Sequence, residues 1–328
     1  MKRIQRKVEE IIGGRLIEMV STRALKKSKL VPKAVNLPQM GLTMNYLERP
    51  SSINEKNPPT ILFCHGLSDQ AKNLAAFIAS LKVPKEVRIL VPDAIGHGQD
   101  LVRAKEEGER FRQPTSTSFL ESTSELLQVL HVEKCNAFGY SMGGALVYFL
   151  KYKHPHLVHK SVLVSPSLES CMDTHFINDF IQGRKNHFCF ECRDDAKHLF
   201  RDLSVPHRTK KDPIPKFFLE SIWKRQVGQA PPRHYRAMLE GLVKEMSNHS
   251  EFNTTQDLDP DSPRLVLWPE DDFICNHDKG KTFFEYSGPK TTFESISNCG
   301  HMFHSDGTFI LDIVRAKVAQ HLLDFEFN

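Results

Sequence analysis

The chain has 328 residues, of which 40% are hydrophobic and 26% charged, and its formal net charge is +4. This balance is typical of a globular protein with a sizeable core, and it excludes a collagen-like, low-complexity or intrinsically disordered chain. The sequence has no apolar run of about 18 residues and no opening signal-peptide pattern, and its cysteines are scattered, so we expect a cytoplasmic protein without a membrane span.

The amino-terminal segment, residues 1–35, is strongly basic. It carries ten Lys or Arg against three acidic residues, a net charge of +7, which leaves −3 on the rest of the chain. Ile4, Val8, Ile11 and Met19 fall near one face of a helix, a pattern that predicts peripheral contact with an anionic membrane surface. The alternative is a solvated arm packed against the body. Because the basic excess is confined to this segment and no basic–aromatic motif accompanies it, no nucleic-acid partner is expected.

The next informative segment is an apolar run, Pro59–Cys64, that leads directly into His65-Gly66-Leu67. The run predicts a buried strand. A loop at the end of such a strand is able to present backbone N–H groups to a developing oxyanion, and Leu67 and Met142 are the candidate donors. The alternative for His65-Gly66 is an ordinary turn that ends the strand.

A G-x-S-x-G pattern follows at Gly139-Tyr140-Ser141-Met142-Gly143, between an apolar pair and a helical stretch at residues 145–153. The pattern is typical of a nucleophile elbow, in which a sharp strand-to-helix turn holds the serine in a strained conformation. Glycine is needed on both sides because a side chain there would collide with the neighbouring backbone. Ser141 is therefore the predicted nucleophile.

From residue 168 to residue 252 the alternation of strand and helix stops and a mainly helical pattern with proline-rich breaks replaces it. We expect residues 168–252 to form a helical cap. The cap would be inserted into a catalytic core formed by residues 36–167 and 253–328, since candidate catalytic residues lie on both sides of it.

Large apolar residues recur at helical spacing in the predicted cap. Phe176, Phe180 and Trp223 are the candidate substrate-binding residues, because an apolar wall suits an acyl chain. The alternative is that these side chains pack the cap helices against each other and against the core.

Two further strand-like runs each end at a candidate acid or base. Arg264–Trp268 leads to Asp271 and Asp272, and Thr292–Ile296 leads to His301. A histidine so placed is able to take the serine proton, while a carboxylate orients its imidazole. His301 is the predicted general base, and the residues alone leave Asp271 and Asp272 open as the acid.

The chain resembles the α/β-hydrolase superfamily over nearly all of residues 42–325. Four motifs carry the resemblance in the same order as in the family: His65-Gly66-Leu67-Ser68, Asp93-Ala94-Ile95-Gly96-His97-Gly98, Gly139-Tyr140-Ser141-Met142-Gly143-Gly144 and Asn298-Cys299-Gly300-His301. The resemblance implies an α/β fold with a mostly parallel central sheet flanked by helices and an inserted, mainly helical cap. The family's G-x-x-D pattern maps onto Pro269 to Asp272 and favours Asp272, although proline stands where the family has glycine.

Within the superfamily, the elbow, the long insertion and the final motif look most like monoacylglycerol lipases of the ABHD group. This implies hydrolysis of carboxylic esters, with monoacylglycerol or a similar lipid as substrate and an acyl-Ser141 intermediate. No metal or organic cofactor is expected. Alternatives are a carbon–carbon or thioester hydrolase using the same triad, an acyltransferase, suggested by an H-x-x-x-x-D string from His301 to Asp306, and a non-catalytic scaffold.

Overall fold

A computed structural model of the protein describes residues 2–98, 114–184, 189–204, 214–229, 232–248, 257–302 and 308–325. Within these ranges the backbone forms one sheet of eight strands. The strands are β1 (Val31–Leu37), β2 (Leu42–Arg49), β3 (Thr60–Cys64), β4 (Arg88–Pro92), β5 (Cys135–Tyr140), β6 (Val158–Val164), β7 (Arg264–Pro269) and β8 (Thr291–Ile296).

Helices connect most of these strands. They are α1 (Lys2–Ser28), α2 (Ala75–Ser80), α3 (Ser116–Val129), α4 (Met142–Lys153), α5 (Thr174–Ile181), α6 (Arg193–Leu203), α7 (Lys216–Gln229), α8 (Pro232–Asn248), α9 (His277–Phe283) and α10 (Thr308–Leu322), with short 3-10 turns at Ala71–Leu74 and Glu169–Cys171.

The strand order is β1-β2-β4-β3-β5-β6-β7-β8. β2 pairs antiparallel with both β1 and β4, and every later pairing is parallel. Parallel neighbours require crossover connections, and helices on the sheet faces supply them here. The predicted α/β-hydrolase fold is confirmed.

Apolar side chains alternate between the two faces of the central strands. On β3, Leu62 packs with residues of α3 and α4, whereas Ile61 and Phe63 pack with residues of α2 and α10. This alternation follows from the two-residue period of a strand. β3, β5 and β7 are buried along their whole length, as expected of strands covered on both faces.

The carboxyl ends of the parallel strands meet at one edge of the sheet. The register sets Cys64 beside Gly139, Tyr140 beside Val164, and Pro269 beside Ile296. The loops that follow β3, β5, β7 and β8 therefore converge, as they do in open α/β sheets where ligands bind beyond the strand ends.

Helices α5 to α8 lie between β6 and β7 in the sequence, and we call them the helical insertion. The insertion is tied to the core at the start of α3. There the carboxylate of Glu245 on α8 accepts hydrogen bonds from the Ser116 amide and from the Thr117 hydroxyl, the latter at 3.0 Å. A carboxylate at a helix amino terminus satisfies free N–H groups and complements the helix dipole.

Helix α1 packs against α7 of the insertion and against α2 of the core. The Ser221 hydroxyl donates to the carbonyl oxygen of Glu10 at 2.8 Å, and a Cβ added at Gly13 would lie 2.2 Å from the carbonyl oxygen of Phe217. Among the described residues, no helix combines the length and apolar character needed to cross a bilayer.

Candidate active site

Ser141 occupies the turn between β5 and α4 with φ 55° and ψ −120°. Such a conformation is strained for a residue with a side chain, and strain of this kind concentrates at functional sites. The turn is tight on both sides. A Cβ at Gly139 would lie 2.1 Å from the carbonyl oxygen of Gly143, and a Cβ at Gly143 would lie 2.3 Å from the carbonyl oxygen of Cys64.

A chain of hydrogen bonds joins Ser141, His301 and Asp272. His301 Nε2 lies 3.0 Å from Ser141 Oγ, and His301 Nδ1 lies 2.7 Å from Asp272 Oδ2. All three residues are buried. Because a carboxylate accepts hydrogen bonds and does not donate them, this geometry places the imidazole proton on Nδ1 and leaves Nε2 to accept the serine proton.

The Asp272 carboxylate is itself held in place. Its Oδ1 accepts the backbone N–H groups of Ile274 at 2.9 Å and Cys275 at 2.8 Å. The neighbouring Asp271 is half-buried, and its amide donates to the carbonyl oxygen of Cys299 at 3.1 Å. Of the two candidate acids, the structure brings Asp272, which the family pattern favoured, to the imidazole.

Leu67 and Met142, the two candidate oxyanion donors, line the same cavity as Ser141. Met142 is the first residue of α4, where backbone N–H groups have no partner within the helix and the helix dipole is positive. The loop that carries Leu67 passes close to the elbow, since a Cβ at Gly66 would lie 3.4 Å from the Cβ of Ser141.

Two buried side chains, one after β3 and one after β4, hold this loop in place. His65 Nε2 accepts the amide of Ala94 at 3.0 Å, so Nδ1 donates to the carbonyl oxygen of Gly66 at 2.8 Å. Asp93 Oδ1 accepts the amide of Ala71 at 2.7 Å. The sequence predicted the loop after His65 as the oxyanion loop and gave Asp93 no role, and the hydrogen bonds of both side chains fix the backbone next to the candidate oxyanion site.

A cavity of about 400 Å³ contains Ser141 in its wall. This volume falls within the usual range of small-molecule sites. Phe176 and Phe180 of α5, two of the candidate substrate-binding residues, line the cavity together with apolar residues of α3, α4 and α8: Phe119, Leu120, Ala145, Leu146, Phe149, Leu239 and Leu242.

The third candidate, Trp223, lies on α7 and does not line this cavity in the described part of the chain. It is partly buried against the apolar core, and Lys224 Nζ lies 4.3 Å from its ring centroid. Polar residues that the sequence did not single out lie in the cavity wall instead. Glu169 and Ser170 follow β6, and Lys279 belongs to α9.

Among the described residues, Asp272, Cys275 and His301 bring ligand-type atoms within 4.8 Å of one another. Asp272 and His301 are already bonded to each other. Burial, and then the Asp272 carboxylate, raise the pKa of the Cys275 thiol well above its ordinary value. Because the facing atoms of Asp272 and His301 are committed to their mutual hydrogen bond, these contacts fit a hydrogen-bonded triad better than a metal site.

A family model described as serine aminopeptidase, S33, matches residues 55–308. The sn-1-specific diacylglycerol lipase ABHD11 of Danio rerio is 26% identical over 250 residues, 75% of this chain and 74% of that protein. A Schizosaccharomyces pombe protein named "Putative monoglyceride lipase" is 23% identical over 288 residues, 83% of this chain and 70% of that protein.

Solved structures of other proteins share the fold of this chain. A membrane phospholipase A, described as a bacterial virulence factor, superposes with a TM-score of 0.70 at 18% identity, covering 97% of this chain and 93% of that one. The chain spans 29% of the length of the uncharacterized mycobacterial proteins to which it is 31% identical over 108 residues. Because the family model matches well over half of the chain and the motifs agree in order, the chain belongs to the serine aminopeptidase S33 family of α/β-hydrolases, with ABHD lipases among its relatives.

Proposed function

We propose that this chain is a serine esterase that hydrolyses lipid esters, with monoacylglycerols as its substrate class. The observation that supports the proposal most is the hydrogen-bonded series from Asp272 through His301 to Ser141 at the wall of a largely apolar cavity. The names of the Danio rerio and Schizosaccharomyces pombe relatives, which refer to acylglycerols, agree with it.

In the proposed mechanism, Ser141 Oγ attacks the ester carbonyl carbon while His301 Nε2 takes the hydroxyl proton. Asp272 holds the imidazole and stabilises the imidazolium that forms. The N–H groups of Leu67 and Met142 donate to the carbonyl oxygen as it becomes negative. His301 then gives the proton to the departing alcohol, and the acyl-Ser141 ester is hydrolysed by water in a second round of the same steps.

The acyl chain would lie against Phe176 and Phe180. If these residues form the wall, fatty-acid release from monoacylglycerols should rise with acyl length and then fall where the cavity ends. Phe180→Ala enlarges the cavity and should move the optimal acyl length to longer chains. A flat chain-length profile in the native protein would refute the lipid assignment. The chain-length profile of Trp223→Ala, measured in the same way, tests whether Trp223 belongs to the site.

We also propose that α1 contacts an anionic membrane surface. Along α1, five apolar side chains are about half exposed: Val8, Ile11, Ile12, Met19 and Val20. Exposed basic residues share the helix: Lys7, Arg15, Arg23, Lys26 and Lys27. Apolar side chains able to enter an interface, together with basic groups that each add about 1 kcal/mol near anionic lipid, suit such a surface.

Vesicle sedimentation tests this contact. The native chain should bind vesicles that contain phosphatidylserine better than vesicles of phosphatidylcholine alone, and added salt should weaken the binding. Ile12→Asp with Met19→Asp should abolish it, whereas Tyr286→Asp, at an exposed aromatic outside α1, should not. Equal sedimentation of the native chain and the α1 variant with phosphatidylserine vesicles would refute the proposal.

A further inference from the structure

Glu169 is a carboxylic acid in the cavity wall for which the proposed mechanism has no use. It begins the 3-10 turn Glu169–Cys171 after β6 and lines the cavity together with Ser141. Its Oε2 atom is closed to solvent and has no hydrogen-bond partner among the described residues. Burial raises the pKa of this carboxyl group above its ordinary value.

A buried oxygen without a donor destabilises a fold, and nearly all such oxygens in proteins are paired. The terminal torsion of a Glu side chain is soft, so a rotation of the carboxylate would bring this oxygen to the cavity surface, where a hydroxyl of the ligand would supply the missing donor. The neighbouring wall is also polar, since Ser167, Ser170 and Thr174 contribute to it. The remainder of the cavity is lined mainly by aliphatic and aromatic side chains, so its two parts suit the two parts of an amphiphile.

The charged side chains of the cavity wall restrict the kind of polar head group that suits this part of the cavity. Glu169 and Lys279 are the ionisable side chains among the described lining residues. The Lys279 ammonium donates to the carbonyl oxygen of Met172 and to the Thr174 hydroxyl, each at 2.9 Å. An acid and a base in one wall disfavour a head group with a net charge of either sign. A neutral hydroxyl suits both.

From this arrangement we infer that Glu169 accepts a hydrogen bond from a free hydroxyl of the alcohol part of the ester. The inference rests on the proposed function and names the side chain that selects the alcohol part of the substrate. Glu169 is thus a specificity-determining residue. Esters with a free hydroxyl in the alcohol part gain a bond that simple alkyl esters lack, and sites built to bond a substrate hydroxyl discriminate strongly against analogues without one.

The test compares a monoacylglycerol with the methyl ester of the same fatty acid. In Glu169→Leu, kcat/KM for the monoacylglycerol should fall about tenfold or more relative to the methyl ester. Glu169→Gln keeps a neutral acceptor of the same size and should lower the ratio less, by severalfold. Glu285→Leu removes an exposed acid outside the cavity and should leave the ratio as in the native chain.

An unchanged ratio in Glu169→Leu would overturn the inference, whether both rates stay at the native value or fall equally; an equal fall indicates a merely structural role. Should Glu169→Leu not fold, an unchanged ratio in Glu169→Gln overturns it instead. If the native chain hydrolyses neither ester, the proposed function itself fails. That failure is distinguishable, because the native rates are measured before any variant is compared.

Discussion

Hydrogen bonds on both sides hold the strained backbone of Ser141. The Ser141 amide donates to the carbonyl oxygen of Val164 at 2.9 Å, and its own carbonyl oxygen accepts the amides of Ala145 and Ser167, each at 3.1 Å. Strain of this type costs about 1–3 kcal/mol and persists only where the surroundings fix it. Because β6 and α4 both anchor the turn, the serine hydroxyl is held in its place beside His301.

The two adjacent acids offer a matched pair of variants. Asp272→Asn keeps the shape of the side chain but favours the wrong imidazole tautomer, so we expect kcat to fall by about 10⁴-fold, as it does in a serine protease. Asp271→Asn should change kcat less than about twofold, since surface changes away from the site have small effects. Steady-state hydrolysis of one ester by the two variants measures both values of kcat. A larger loss of kcat in Asp271→Asn than in Asp272→Asn would refute the assignment of Asp272 as the acid.

How far the residues of the site could be predicted depends on the signal available to each. Ser141 and His301 lie in motifs at strand ends, where the change from apolar run to turn marks the position. Asp271 and Asp272 share one loop without periodicity, so spacing alone could not separate them. Glu169 escaped notice because an unpaired buried oxygen is a property of packing, which a single sequence does not display.

At the scale of elements, the strands were the most predictable part. β3, β7 and β8 begin within one residue of the predicted runs, because short apolar stretches bounded by turns give a clear pattern. The neighbours against which the helices of the insertion pack were less predictable. Phe176 and Trp223 both sit in stretches with several large apolar residues, yet α5 meets the cavity while α7 packs against α1 and α6. An apolar stripe predicts burial without stating against which neighbour.

The contact between α1 and α7 depends on one of two adjacent glycines. A Cβ at Gly13 would lie 2.2 Å from the carbonyl oxygen of Phe217, whereas a Cβ at Gly14 would meet nothing within 4 Å. Gly13→Ala should therefore destabilise the protein by about 1–3 kcal/mol and expose α1 to proteolysis. Gly14→Ala should stabilise it by up to about 1 kcal/mol through helix propensity. Urea unfolding with limited proteolysis measures both, and equal behaviour of the two variants would contradict this packing.

Over the whole molecule, the end of α10 closes the face of the sheet that α2 also covers. Asn136 Nδ2 of β5 donates to the carbonyl oxygen of Leu322 at 2.8 Å, and Lys160 Nζ of β6 pairs with Asp324 at 2.7 Å. His321 lies in this region. Burial, and then the nearby Lys160, lower the pKa of His321 below its ordinary value of 6.5.

A lowered histidine pKa makes the fold sensitive to acid. The unfolded chain binds the His321 proton at a higher pH than the folded chain, so the stabilisation is complete above pH 6.5 and is lost as the pH falls through the folded pKa. The free energy of unfolding should therefore fall as the pH drops below about 6.5. The fall should be smaller in His321→Asn and unchanged in His175→Asn, at an exposed histidine. An unchanged pH dependence in His321→Asn would contradict this account.

The most direct test of the central claim is to label the native chain with a fluorophosphonate and to locate the adduct by peptide mass spectrometry. A hydroxyl activated by His301 should react, so we expect the adduct on Ser141, none in Ser141→Ala and far less in His301→Ala. An adduct on a different serine, or no adduct on the folded native chain, would contradict the assignment of Ser141 as the nucleophile.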